Sequence, residues 1–299
     1  MQIKVKNINK IYDKDLPSEL KALDGVSTQI GQGEFIAIIG QTGSGKTTFI
    51  EHMNGLINPD QGEIEFFYLK PNKEKIEIET TLVLKKKKWY QRKIKGLKDI
   101  RKRVGVVFQF AEYQLFEQTI LKDIIFGAVS MGVPKAEAIE NAEKIIELVG
   151  LDRSYLEKSP FELSGGQKRR VAIAGILAMN PDIIFFDEPT AGLDPVGIEE
   201  TLSIFDKLHK NGKTIVISTH DLDNVLQWTQ RTIIFKKGQI IRDGDTYEIL
   251  SDNQFLIENK MQPTKLLSFV EKLEQKGFKV GKVTNIDQLA QKINELKGE

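Results

Sequence analysis

The 299-residue sequence contains no cysteine. Disulfides and thiolate metal sites are therefore excluded, in keeping with a reducing compartment. No apolar run approaches the roughly 20 residues that a membrane-spanning helix needs. The first residues, Met1-Gln2-Ile3-Lys4-Val5-Lys6, read as a strand and lack the apolar h-region of a signal peptide. Neither charge is in excess: 43 Lys and Arg stand against 42 Asp and Glu, a formal net charge of +1. No global attraction to nucleic acid or anionic lipid follows from that balance. A soluble chain is expected, and any membrane role must come through a partner. What the sequence does have is an ordinary apolar share and the length for a large domain plus a small one, or two of similar size.

The most informative stretch is 163–188. Leu163-Ser164-Gly165-Gly166-Gln167-Lys168-Arg169-Arg170 is a small-residue turn that opens a helix. Ile183-Ile184-Phe185-Phe186-Asp187-Glu188 is a buried strand ending in two carboxylates. A helix start attracts anions. A carboxylate pair at a strand end can hold Mg²⁺ and orient a water. Upstream, Phe35-Ile36-Ala37-Ile38-Ile39 has the continuous apolarity of a strand buried on both faces. Gly40-Gln41-Thr42-Gly43-Ser44-Gly45-Lys46-Thr47 follows at once and fits G-x-x-x-x-G-K-[ST], the P-loop. Its glycines let N–H groups turn inward around phosphate. Lys46 reaches the β- and γ-phosphates, and the Thr47 hydroxyl can ligate Mg²⁺. A flexible Gly-rich turn is the plainer alternative. The strand before it and the helical pattern from Thr47 to about Asn54 favour phosphate. Two further apolar strands end in Gln109 and His220. Gln109 alone could be a strand cap, and an isolated histidine is most often structural. Both share with Asp187 the carboxyl end of a core strand, which faces the ligand crevice of an α/β sheet.

The rest of the chain frames these motifs. Residues 2–8 and 22–30 alternate like half-buried strands, with Tyr12 in a turn-prone stretch between them. Gly31-Gln32-Gly33-Glu34 reads as a hairpin turn. A strand is expected over 63–69. Residues 70–103 are rich in lysine and arginine and hold Trp89 and Tyr90. An arm touching anionic lipid and a nucleic-acid patch are two readings of this segment. A solvated, lysine-rich hairpin extension is the simpler one. An aromatic-rich loop covers 110–116. Helices are expected over 119–127 and 135–149. Asp194 is placed as the N-cap of a helix with Pro195 as its first residue. A hairpin is expected over 231–241, a helix and a linker over 245–262, and two short helical patterns after Pro263.

The P-loop, Gln109, Leu163-Ser164-Gly165-Gly166-Gln167, Asp187-Glu188 and His220, in this order, resemble the ATP-binding-cassette ATPases across roughly residues 3–240. The run Phe108-Gln109-Phe110-Ala111-Glu112-Tyr113-Gln114-Leu115-Phe116-Glu117 narrows the resemblance to the ATPases of energy-coupling-factor importers, the CbiO/EcfA group. Within it the chain looks like the second of two paralogous ATPases, with Ala111 where that paralogue usually has Pro. The resemblance implies an α/β fold: a P-loop NTPase (RecA-like) core with an antiparallel β-subdomain and an α-helical subdomain, plus a small C-terminal α-rich domain. The ATP-binding domain would span 1–245, with its helical subdomain at about 110–165 and the basic insertion at about 70–103. The C-terminal domain, 246–299, would serve dimerisation.

By the same resemblance, two cassettes pair head to tail around two ATP molecules. Gly40, Gln41, Thr42, Gly43, Ser44, Gly45, Lys46, Thr47 and Thr48 would hold the triphosphate. Ser164, Gly165, Gly166 and Gln167 of the facing chain would close over it. Asp187 would bind Mg²⁺ beside Thr47, and Gln109 would touch both Mg²⁺ and water. Glu188 would polarise the attacking water, His220 would contact the γ-phosphate, and Asp194 would bridge the subunits. Tyr12 matches the aromatic that stacks on adenine; a core β-residue is the alternative. The implied partners are a second ATPase subunit, a paralogue rather than a copy, a transmembrane scaffold gripped by the loop after Gln109, and a substrate-binding membrane subunit. The implied work is uptake of a vitamin or transition metal, driven from the cytoplasmic face of the membrane. A soluble cassette ATPase acting on nucleic acid or ribosomes is the alternative. Those usually carry two cassettes or a long coiled coil, and this sequence has neither.

Overall fold

The computed structural model describes residues 1–71, 77–86 and 94–297. In chain order it begins with β1 (Gln2–Tyr12), β2 (Leu20–Ile30), β3 (Phe35–Ile39), α1 (Lys46–Met53), β4 (Gln61–Pro71), β5 (Glu77–Lys85), α2 (Leu97–Arg103) and β6 (Val104–Val107). Then come α3 (Ile120–Ser130), α4 (Lys135–Leu148), α5 (Gly165–Leu177), β7 (Ile183–Asp187), α6 (Pro195–Lys210), β8 (Thr214–Thr219) and α7 (Leu222–Trp228). The last elements are β9 (Arg231–Lys236), β10 (Gln239–Asp245), α8 (Thr246–Ser251), α9 (Asn253–Glu258), α10 (Lys265–Gln275) and α11 (Ile286–Lys297).

The continuous apolar runs build one sheet of order β10-β9-β3-β8-β7-β6, parallel except for β10. Every residue of β3, β6, β7 and β8 is buried. Side chains alternate across a strand, so each run must feed two cores. Ile36 and Ile38 pack with Phe49, Phe66 and Phe185 on one face. Ala37 and Ile39 pack with Phe186 and Phe205 on the other, where those two rings stack at 3.8 Å. Burying one such phenyl ring stabilises the fold by about 1.5–3 kcal/mol. The first core is closed by an antiparallel sheet of order β2-β1-β4-β5 and by α1. The second is closed by α3, α4, α5, α6 and α7. This is the α/β, P-loop NTPase arrangement the sequence implies, with its antiparallel and helical parts on opposite faces of one wall.

Local signals place the helices as expected. Asp194 caps α6 by accepting from the Gly197 N–H at 3.0 Å, and Pro195 is the first helical residue. Ser164 and Gln167 form a reciprocal capping box at the start of α5.

Three expectations are corrected. The turn at 31–34 is not a hairpin: β2 and β3 belong to different sheets. Its residues carry the chain from one sheet to the other, and turn chemistry alone does not say which strands pair. Tyr12 ends β1 opposite Leu20 instead of lying in the turn. Residues 245–262 hold two short helices, α8 and α9, and their Leu250 and Leu256 are buried in the helical-side core.

The basic segment is only partly described. Its β5 pairs with β4 from Glu63 opposite Lys85 to Pro71 opposite Glu77, so it is a strand of the antiparallel sheet, with Leu84 in the core. Ile100 of α2 is buried in the same core. Trp89, Tyr90 and the basic residues at 73, 75, 87, 88, 92 and 93 lie outside the described residues.

One buried group titrates oddly. His52, on α1, is fully buried, and its Nδ1 lies 2.7 Å from the Thr48 carbonyl oxygen. Burial lowers its pKa to about 4. An unfolded chain then binds the proton more tightly than the fold does, near a pKa of about 6.5. The fold is unpenalised above that value, and stability is lost as pH falls towards 4, by on the order of 3 kcal/mol. Urea denaturation of wild type and His52→Gln should show this loss in the difference between the two pH profiles, and no difference in slope above pH 7.

Candidate nucleotide-binding site

The carboxyl ends of β3, β6, β7 and β8 lie along one edge of the sheet. There a cavity of about 320 Å³ is lined by Thr42 to Thr48, Gln109, Asp187, Glu188 and His220, together with Leu20 and Ala22. Four of the five motifs read from the sequence therefore converge. The loop from Gly40 to Thr47 can pass so close to the sheet only because two of its residues lack a side chain. A Cβ on Gly40 would stand 2.4 Å from the Phe235 carbonyl oxygen, and one on Gly45 2.6 Å from that of Ala22. Gly45 also has φ 106, a backbone that L-residues rarely adopt.

The loop is built for an anion. Lys46 is buried, and its Nζ donates to the carbonyl oxygens of Gly40 at 2.7 Å and Gln41 at 3.3 Å. Burial lowers its pKa, against the pull of Glu188 and Asp187. The Ser44 hydroxyl is buried and has no hydrogen-bond partner among the described residues. A buried polar group without a partner is costly unless a ligand supplies one. The start of α1 adds its own unpaired N–H groups at the same place. Gln41 is an exception in orientation: its side-chain amide donates to the Lys260 carbonyl oxygen at 3.3 Å, away from the cavity.

The carboxylates are held differently from one another. Asp187 is 3 % exposed. Its Oδ2 accepts from the Thr47 hydroxyl at 2.7 Å and its Oδ1 from the Ser218 hydroxyl. The Ser218 oxygen in turn accepts from the Glu188 N–H at 3.1 Å. Glu188 has φ 48, in the left-handed region. Its Oε2 lies 3.0 Å from Nδ1 of His220, which is exposed. Among the described residues no group of three or more His, Asp or Glu could hold a metal alone. Thr47, Asp187 and Gln109 offer only oxygen donors suited to a hard cation such as Mg²⁺. The donor set fits a cation that takes its remaining ligands from phosphate and water.

The helix-opening turn lies elsewhere. Ser164, Gly166, Gly192 and Asp194 line a separate hollow of about 420 Å³. It shares no lining residue with the P-loop cavity. Gln167 N–H donates to the Ser164 hydroxyl at 3.3 Å, and Ser164 N–H donates to Gln167 Oε1 at 3.0 Å. A Cβ on Gly165 or Gly166 would meet nothing within 4 Å. Nothing among the described residues requires glycine there. Tyr12 is not among the residues lining the P-loop cavity. Its hydroxyl lies by Thr48 and Glu51, and burial raises its pKa.

Ser218 was not singled out by sequence reasoning. Its one signal was a hydroxyl, next to that of Thr219, at the end of the apolar run of β8; the structure puts it in register with Asp187. The loop after Gln109 carries the exposed aromatics Phe110, Tyr113 and Phe116, with Phe126 beside them. Phe116 and Phe126 meet edge to face at 5.0 Å, beside a groove of about 190 Å³ that reaches Ala111, Gly175 and Met179.

This geometry has close counterparts. The family model described as ABC transporter matches residues 23–191. The energy-coupling factor transporter ATP-binding protein EcfA2 of Mesomycoplasma hyopneumoniae (strain J) is 67% identical over 99% of this chain and 97% of its own length. The protein of that name from Enterococcus faecalis is 43% identical over 98% of this chain and 96% of its own. Among solved structures, cbiO1 from Clostridium perfringens, part of the ABC transporter complex cbiONQ, has a TM-score of 0.67 at 31% identity, covering 90% of this chain and 98% of its own. A dimeric ATP-binding cassette, MJ0796, in a post-hydrolysis state bound to ADP and Pi, has a TM-score of 0.66 at 30% identity, covering 82% and 98%. The chain belongs to the ABC transporter family, as an ATPase of the energy-coupling-factor type.

Proposed function

We propose that this chain is the ATP-hydrolysing subunit of an energy-coupling-factor importer, working in a pair with a second, paralogous ATPase. The observation that carries this reading is the separation of the two anion-seeking elements. The P-loop cavity and the Ser164 turn share no residue, and the glycines of that turn face outward. A turn that leaves its own cavity untouched serves a nucleotide held by another subunit. That the similar cassette MJ0796 is dimeric when bound to ADP and Pi supports a working pair.

In this reading Gly40 to Thr48 hold the triphosphate, and Lys46 exchanges its two loop carbonyls for phosphate oxygens. Thr47, Asp187 and Gln109 hold Mg²⁺, which when bound neutralises charge on the phosphates. Ser218 keeps Asp187 turned towards Thr47. Glu188 accepts the proton of the attacking water, and His220 holds Glu188 and faces the γ-phosphate. Ser164 and Gly166 of the opposite subunit close the pocket, with Gly165 and Gln167 shaping that turn. Asp194 stands in the same hollow as Ser164, where the subunits meet, and Tyr12 packs on adenine. Positioning and charge neutralisation carry phosphoryl transfer, so little covalent chemistry is asked of the protein.

The exposed aromatics after Gln109 and the groove beside them receive helices of a transmembrane scaffold on the cytoplasmic face. No helix among the described residues is long and apolar enough to cross a membrane. A separate membrane subunit would select the cargo, a vitamin or a transition metal. Residues 1–245 form the ATP-binding domain. Residues 246–299 form a dimerisation domain, with Phe269, Phe278 and Ile286 exposed on it.

Two variants test this in the assembled complex. Glu188→Gln should bind ATP as wild type does and lose turnover by at least about a hundredfold. Wild-type turnover would reject Glu188 as the base. Gly166→Asp should keep its stability within about 0.5 kcal/mol, since its side chain enters open space. It should also bind nucleotide at its own P-loop, yet turnover should fail. A variant that unfolds instead would make Gly166 a structural residue and remove the support it gives to a shared pocket.

A further inference from the structure

Of the two adjacent arginines on α5, Arg170 reaches outward to Glu200 at 2.8 Å, while Arg169 turns inward. The Arg169 side chain is 6 % exposed. Its guanidinium closes four hydrogen bonds. Nε and Nη2 donate to the two carboxylate oxygens of Glu112 at 3.0 and 2.7 Å. Nη1 donates to the carbonyl oxygens of Pro189 at 3.0 Å and Ala191 at 2.8 Å. One rigid fork therefore joins the loop after Gln109 to the loop after Glu188. Burial works against ionisation of Glu112, and the Arg169 contact overcomes it.

Both loops are under backbone strain at matching places. Phe110, directly after Gln109, has φ 59, and Glu188, directly before Pro189, has φ 48. Residues with side chains hold such angles only where their surroundings over-determine them. Upstream, Glu188 is fixed by its N–H, which lies 3.1 Å from both the Ser218 carbonyl and hydroxyl oxygens. Downstream, Arg169 grips the carbonyls of the next turn. At Phe110 the matching grip is the Arg169–Glu112 pair two residues on.

We propose that Arg169 is a positioning residue for hydrolysis, one guanidinium that holds the Gln109 and Glu188 loops in a single fixed relation. The assignment rests on the roles given above to Gln109 and Glu188. A change in the aromatic loop then reaches Glu188 through one side chain. Lysine cannot replace it, because a single ammonium lacks the planar fork that meets a carboxylate and two carbonyls together.

The test compares Arg169→Lys, Glu112→Gln and their double variant in the assembled transporter. It measures kcat and KM for ATP, nucleotide affinity and thermal stability, with Glu188→Gln alongside. Arg169→Lys is expected to keep KM and nucleotide affinity within about threefold while kcat falls by on the order of ten- to a hundredfold. Glu112→Gln should lower kcat in the same direction, and the double variant should be no worse than Arg169→Lys, because both break one linkage. A folded Arg169→Lys protein with wild-type kcat overturns the proposal. So does a loss of kcat matched by equal losses of affinity and stability, which marks a purely structural pair. If Glu188→Gln hydrolyses ATP normally, the reading of the site fails instead, whatever Arg169 does.

Discussion

The hydrogen bond between Thr47 and Asp187 fixes everything else at this site. It joins the first turn of α1 to the last residue of β7, across the strand that separates β3 from β7. It exists because β3, β8 and β7 run parallel and in register, so that Ile39 lies beside Thr219 and Asp187 beside Ser218. Parallel strands buried on both faces can carry polar side chains only at their ends. The groups assigned above to phosphate, Mg²⁺ and the proton are therefore gathered on one edge by the same burial that stabilises the sheet. The chemistry is placed by the core.

That dependence explains which parts could be read from the sequence. The strands 35–39, 183–187 and 214–219 announce themselves by apolar runs, which end in the P-loop, in Asp187-Glu188 and before His220. Position in the fold follows from that pattern without tertiary knowledge. The cap Asp194 was legible for a similar reason, since the rule linking residue type to helix start is local. The turn at 31–34 was not. Its Gly and Glu residues satisfy a hairpin as well as a crossing between sheets, and only the pairing of β3 with β8 and β9 decides. Ser218 was missed because a hydroxyl near a strand end is common, and its place beside Asp187 appears only with the cross-strand register. Arg169 was missed because two adjacent arginines give no hint of which one faces inward.

In the proposed pair the two hollows divide recognition from closure. Around the P-loop, glycine is demanded by the chain's own backbone: Phe235 and Ala22 leave no room at Gly40 and Gly45. Around Ser164, glycine is demanded by nothing among the described residues. The same residue type thus carries opposite information in the two motifs. In the first it permits the fold, and in the second it clears a surface.

The capping box at the start of α5 has a chemical corollary. Ser164 spends its hydroxyl on the Gln167 N–H, and Gln167 spends its carboxamide oxygen on the Ser164 N–H. The N–H groups of Gly165 and Gly166 are left as the first-turn donors. Main-chain amides discriminate by shape and charge, and they are blind to the identity of a base. In the pair proposed above, that turn can clasp a polyphosphate but cannot tell one nucleoside from another, so a preference for adenine falls to the protomer whose P-loop holds the nucleotide.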